Sequence, residues 1–129
     1  MEKSLRSDNN YITFFVPGDP VPKQSFRYTK NGGGFTDPRM KAWQDTVTIL
    51  AKSYFHEPLK GNIRLMLVFN LRNRRKVDCD NLSKGVMDGL KNIAFGDDSK
   101  VTQLFILKYY NKALPGVRVW IKNLDKEGQ

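Results

Sequence analysis

Cysteine is nearly absent from this 129-residue chain. Cys79 stands alone, which excludes an internal disulfide and a Cys-rich zinc site. Histidine is equally scarce: His56 is the only one, so a zinc site of the His/Cys type is short of ligands, and Cys79 has no base near it in the sequence to make it a nucleophile. Long apolar runs are missing too. The longest, such as Leu65 to Phe69, fall far short of the roughly 20 residues that a membrane helix needs. Residues 1–10 are polar and lack the apolar core of a signal peptide, and they read as a frayed tail. Together these absences point to a soluble protein of a reducing cytoplasm with no membrane partner. What remains is a balance of 40% hydrophobic and 27% charged residues, enough for one globular domain spanning 1–129.

Acidic residues are scarce over half the chain and then crowd together. Between residues 20 and 76 there are 12 Lys or Arg and only three acids, Asp37, Asp45 and Glu57. That stretch alone accounts for the whole net charge of +9. From residue 77 onward the signs nearly balance, and five acids fall between Asp78 and Asp98. A basic surface attracts a polyanion through steering and counterion release. A protein that only binds DNA gains nothing from five acids where phosphates approach. A metal-dependent nuclease does gain, because cations mask them.

The aromatic and β-branched run Tyr11 to Val16 predicts a strand. Pro17-Gly-Asp-Pro-Val-Pro22 ends it. Ser25 to Thr36, with its three consecutive glycines, reads as a short hairpin or a mobile loop. Asp37-Pro38 predicts a helix start, with Asp as N-cap and Pro at the first position. Met40, Trp43, Val47, Leu50, Ala51 and Tyr54 follow at helical spacing as a packing stripe. Pro58 and Gly61 end that segment. Alternation from Ile63 to Leu71 predicts a strand with one buried face. Arg72 to Asp80 is polar and extended. A second helix is expected from near Asp80 to near Ile93, with Leu82, Val86, Leu90 and Ile93 on one side and Asp80, Lys84 and Asp88 on the other. Gly96 to Ser99 is a turn. Val101 to Tyr110 and Val117 to Lys122 read as two strands joined as a hairpin through Asn111 to Gly116. The expected fold is α/β (α+β), a small mixed and largely antiparallel sheet with two main helices.

In an extended segment Asp78 and Asp80 point to one side, so their carboxylates can converge. Like charges that close are neutralised, partly protonated or splayed into water. Adding an Asp from the 97/98 pair gives a ligand set of hard oxygens only, suited to Mg²⁺ with Mn²⁺ as a substitute. Lys84 can hold the scissile phosphate, or else simply pair with Asp80 or Asp88 on the helix surface. Arg72, Arg74, Arg75 and Lys76 lead into this site as phosphate clamps, and Asn81 follows Asp80 directly. Lys23 and Arg27 form a second basic pair, with Phe26 and Tyr28 as candidates for base stacking. A helix from Asp80 to Ile93 spans about 20 Å by rise. Shared ligation then requires that the chain folds back, that the helix starts later, or that a second chain supplies the missing carboxylate.

These residues resemble a known family. Asp78-Cys-Asp80-Asn81-Leu-Ser-Lys84, then Asp88-Gly-Leu and Gly96-Asp97-Asp98, are similar to the motif of the RusA family of Holliday-junction endonucleases. Pro20-Val-Pro-Lys23-Gln-Ser-Phe-Arg27 resembles the early motif of that family. The resemblance implies a Mg²⁺-dependent homodimer, with no small-molecule cofactor, that resolves four-way DNA junctions by paired symmetric nicks in recombination and repair. It implies that Asp78, Asp80 and Asp98 are metal-binding and catalytic acids and that Lys84 is the essential lysine. It also implies that the turn after the second helix packs back against the site, and a bacterial or phage-infected cell is the expected setting. The alternative is a branched-DNA-binding protein of the same fold that does not cut.

Overall fold

The computed structural model describes residues 10–23, 27–28, 34–35 and 37–126. Its elements run β1 (Ile12–Pro17), β2 (Arg27–Tyr28), β3 (Gly34–Phe35), α1 (Pro38–Lys52), β4 (Ile63–Leu71), α2 (Cys79–Leu90), β5 (Val101–Tyr110) and β6 (Gly116–Asn123). The element order and the α+β class match the sequence expectation. Among the described residues no helix is long and apolar enough to cross a membrane.

β1, β6, β4 and β5 form one sheet in that order. β6 is antiparallel to both β1 and β4, while β5 is parallel to β4. The alternation of β4 explains its central place: Ile63, Leu65, Leu67, Phe69 and Leu71 are all fully buried. Val117, Val119 and Ile121 of β6 and Phe14 and Val16 of β1 share that face. The helices bring Met40, Trp43, Val47 and Ala51 from α1, and Leu82, Val86 and Leu90 from α2. α1 starts as its sequence predicts, with the Asp37 side chain accepting from the Arg39 N–H at 2.8 Å. α1 and α2 pack closely where Gly89 stands, since a Cβ there would come within 2.9 Å of Val47. The Thr48 hydroxyl also donates to the Gly89 carbonyl at 2.7 Å.

One expectation holds in reduced form and two change. The glycine-rich segment does hold a hairpin, but a minimal one, with Arg27 and Tyr28 paired to Phe35 and Gly34. The rest of Ser25 to Thr36, and the tail up to residue 9, lie outside the described residues. Asn111 to Gly116 is not a hairpin. β5 and β6 lie on opposite sides of β4, and the connection passes over the end of that strand. The Asn111 N–H donates to the Leu71 carbonyl at 2.8 Å, and Asn70 Nδ2 donates to the Leu114 carbonyl at 3.3 Å. The Pro-Gly signal marks a reversal correctly. It cannot say whether the returning strand pairs with its predecessor or with the more apolar β4. Finally, α2 starts one residue earlier and ends three residues sooner than expected, at Cys79 and Leu90.

Candidate active site

The site is built where β4 runs out. Residues 72–77 form an irregular link from Leu71 to α2, and this link carries the densest positive charge in the chain. It is fastened at both ends. Near its start, Asp19 Oδ1 accepts the Arg72 N–H at 3.0 Å, and Arg75 Nη1 donates to both Asp19 oxygens at 3.1 Å. Arg75 Nη2 donates to the Pro20 carbonyl at 2.7 Å. At its end, Lys108 of β5 reaches over to donate to the Val77 carbonyl at 2.9 Å. The segment from Pro17 to Lys23 thus lies as a strap across this end of the sheet. The Gly18 N–H donates to the Pro115 carbonyl, and the Lys23 N–H donates to the Asn81 carbonyl at 2.9 Å.

Asp78 is the N-cap residue of α2, with extended backbone, and its side chain makes no capping hydrogen bond. Asp80 is already in the first helical turn. The two carboxylates therefore do not share one face of an extended strand, as their spacing suggests. Instead they straddle the start of a 12-residue helix, where the partial positive charge of the backbone N–H groups favours anions. Both residues are exposed. Lys84 lies one turn on, with its Nζ 3.6 Å from Asp80 Oδ2. Ser83 steadies the turn from beneath, donating to the Asp80 carbonyl at 2.9 Å. Asp88 follows Lys84 by one more turn and takes Lys23 as its partner at 2.6 Å. Gln44 of α1 adds a bond of 3.4 Å to the same oxygen.

The DNA-contacting candidates divide by these contacts. Arg72, Arg74 and Lys76 are exposed on the link, with the Arg74 guanidinium 4.6 Å from the ring centroid of Tyr110. Arg75 has its terminal nitrogens committed to the strap, and the Lys23 ammonium sits on Asp88. Asn81 holds the strap through its carbonyl. The side chain of Arg27 and all of Phe26 lie outside the described residues, as does the side chain of Tyr28. Asp19, Lys108 and Tyr110 have positional importance that sequence reasoning missed. Asp19 sits in Pro-Gly-Asp-Pro, where an acid signals only a turn.

Asp97 and Asp98 lie elsewhere. Since β4 and β5 run parallel, with Ile63 beside Val101 and Leu71 beside Tyr110, the turn before β5 is at the opposite end of the sheet from the link. α2 separates them by its own length, about 18 Å by rise. The expected fold-back onto Asp78 and Asp80 does not occur within one chain. Asp97 is used locally, as the cap of a short 3₁₀ turn over Asp98–Lys100. Ser99 hydrogen bonds, reinforced by Lys91 at 3.6 Å, hold its carboxyl below the usual range. The Asp98 side chain is exposed and has no partner among the described residues. Accordingly, no group of three carboxylate, Cys or His side chains among the described residues can hold a metal. In one chain Asp78 and Asp80 are the carboxylates at this helix start that could hold a hard cation with most of its water, and they do not make a three-carboxylate centre.

Residues 17–122 match the family described as Endodeoxyribonuclease RusA. The chain is 27% identical over 120 residues to the crossover junction endodeoxyribonuclease RusA of Aquifex aeolicus (strain VF5), covering 90% of this chain and 94% of that one. It is 41% identical over 55 residues to the uncharacterized protein YqaN of Bacillus subtilis (strain 168), covering 43% of this chain and 38% of that one.

Proposed function

Because the chain belongs to the RusA endodeoxyribonuclease family, we propose that this endonuclease resolves four-way DNA junctions as a homodimer, nicking two matching strands in the course of recombination and repair. The observation that carries the reading is the exposed Asp78, Asp80 and Lys84 group at the start of α2, flanked by Arg72, Arg74 and Lys76. Junction phosphates meet the three link cations, which set the register of the strand without reading its sequence. Lys84, held near the carboxylates by Asp80, is in reach of the scissile phosphate and offsets the charge that grows on it in the transition state. Asp78 and Asp80 are the residues that would hold Mg²⁺ or Mn²⁺. Such an ion supplies a water of lowered pKa and shields the leaving oxygen.

The distance of Asp98 from that pair favours a second copy. β5 is an edge strand, and Leu104, Phe105, Leu107, Tyr109 and Tyr110 are exposed along it on both faces. A two-fold axis through Phe105 or Ile106 would pair β5 antiparallel with its copy while keeping every side chain on its own face of the sheet. The start of one β5, with Asp98, then meets the end of the other, with Arg74 and Lys76 nearby. Opposite charges are matched twice, and the partner's Asp98 arrives at the end of the sheet that carries Asp78 and Asp80.

Cleavage of a labelled four-way junction, beside a linear duplex of the same sequence, tests this directly. Paired nicks in the junction alone are expected, lost with EDTA and lost in both Asp80→Asn and Asp98→Asn. Mixed dimers of those two inactive variants regain one intact site and nick one strand. A mixture as inactive as its components returns all the carboxylates to one chain. Cutting retained by Asp80→Asn removes that residue from the chemistry.

A further inference from the structure

Asp19 lies outside the group of residues that meets DNA, yet it makes the most connected side-chain contact near the site. Its carboxylate takes the Arg72 N–H and the Arg75 guanidinium together. Arg75 in turn reaches the Pro20 carbonyl and, at 3.2 Å, Asn73 Oδ1. Both side chains are about two-thirds buried, at 32% and 31% exposure, where a charge-assisted pair is screened less than at the surface. The partners stand 53 and 56 residues away in sequence. They join a strap to a link that has no regular structure of its own. Six residues run from Leu71 to the cap Asp78. Besides Asp19, the Pro20 carbonyl holds Arg75, Lys108 holds the Val77 carbonyl, the Arg74 guanidinium lies over Tyr110, and Val77 packs against the core.

We propose that Asp19 is a positioning residue for strand cleavage, acting through Arg75 to fix the 72–77 link and thereby the place of Asp78 at the head of α2. The proposal rests on the reading that Asp78 takes part in cutting. It also reassigns Arg75. With both terminal nitrogens engaged, Arg75 holds the link in place, and phosphate contact falls to Arg72, Arg74 and Lys76. The neighbouring Lys23–Asp88 pair keeps the far end of the strap on α2 in the same way.

The test uses Asp19→Asn, Arg75→Lys and the exchanged pair Asp19→Arg with Arg75→Asp in the full-length protein. Three quantities are read: the single-turnover cleavage rate at saturating enzyme, the junction Kd in EDTA, and amide hydrogen exchange by peptide. Asp19→Asn and Arg75→Lys are expected to slow cleavage by about tenfold or more, as loss of a supporting shell does, with Kd unchanged. Exchange should quicken in peptides covering 72–82 and stay unchanged in α1. The exchanged pair should recover part of the rate. A weaker Kd in Arg75→Lys with full rate at saturation would make Arg75 a DNA contact and sink the proposal. Faster exchange throughout α1 and the sheet would reduce Asp19 to a general stabiliser. If the unmodified protein cuts no junction, the functional reading fails by itself, and the exchange pattern still decides whether Asp19 holds the link.

Discussion

β4 and β5 are neighbours of nearly equal length, paired in parallel, and both are rich in large apolar side chains. They are treated in opposite ways. β4 buries every second residue completely, from Ile63 to Leu71. β5 leaves Leu104, Phe105, Leu107, Tyr109 and Tyr110 exposed. Composition alone does not separate them. Position in the sheet does, because among the described residues β4 has a strand on each side and β5 has one only. A long, flat apolar edge is a liability in an isolated domain. Its retention here is what a partner strand would account for, and the same edge joins the two ends of the sheet that carry Asp78 and Asp98.

Substitutions can pull this contrast apart. Phe69→Ala empties a filled site under both helices and should cost about 3–5 kcal/mol, read as a lower denaturant midpoint with unchanged slope. Lys108→Met keeps the stem of the side chain but removes the bond to the Val77 carbonyl. It should cost about 1 kcal/mol and slow cleavage more than that loss alone explains. Phe105→Lys should change the stability of the subunit by at most about 0.5 kcal/mol. On the proposed pairing of β5 with its copy, it should nevertheless leave only monomer in sedimentation, remove any concentration dependence of Tm, and abolish paired nicking. A concentration-independent Tm in the unmodified protein would erase the distinction between the two strands.

Much of this architecture is written locally. Asp37-Pro38 starts a helix because a cap and a preset φ need no distant partner. The alternation of β4 names its buried face residue by residue. The limits of β5, Val101 and Tyr110, are those that its sequence predicts. What could not be read is pairing. Pro115-Gly116 promised a hairpin, and the outcome was decided by which strand best completes the core beside β4. The site divides along the same line. Asp78, Asp80 and Lys84 stand together because seven consecutive residues carry all three at one helix start. Asp98 stands apart because the parallel order of β4 and β5, invisible in any short window, sends it to the far end of the sheet. The basic run was legible as charge but not as function, since nothing near Arg75 in sequence announces Asp19.

Among the described residues β1 has one partner, β6, with Ile12 beside Ile121. β1 therefore waits for β6, more than 90 residues further along the chain. A chain emerging from the ribosome can form α1, α2 and the β4–β5 pair, but Phe14 and Val16 have no sheet to join until residues 116–123 have cleared the exit tunnel. The sheet is thus completed only once β6 has been made. A chain truncated before β6 loses the strand that bridges β1 and β4, and with it the frame beneath the strap.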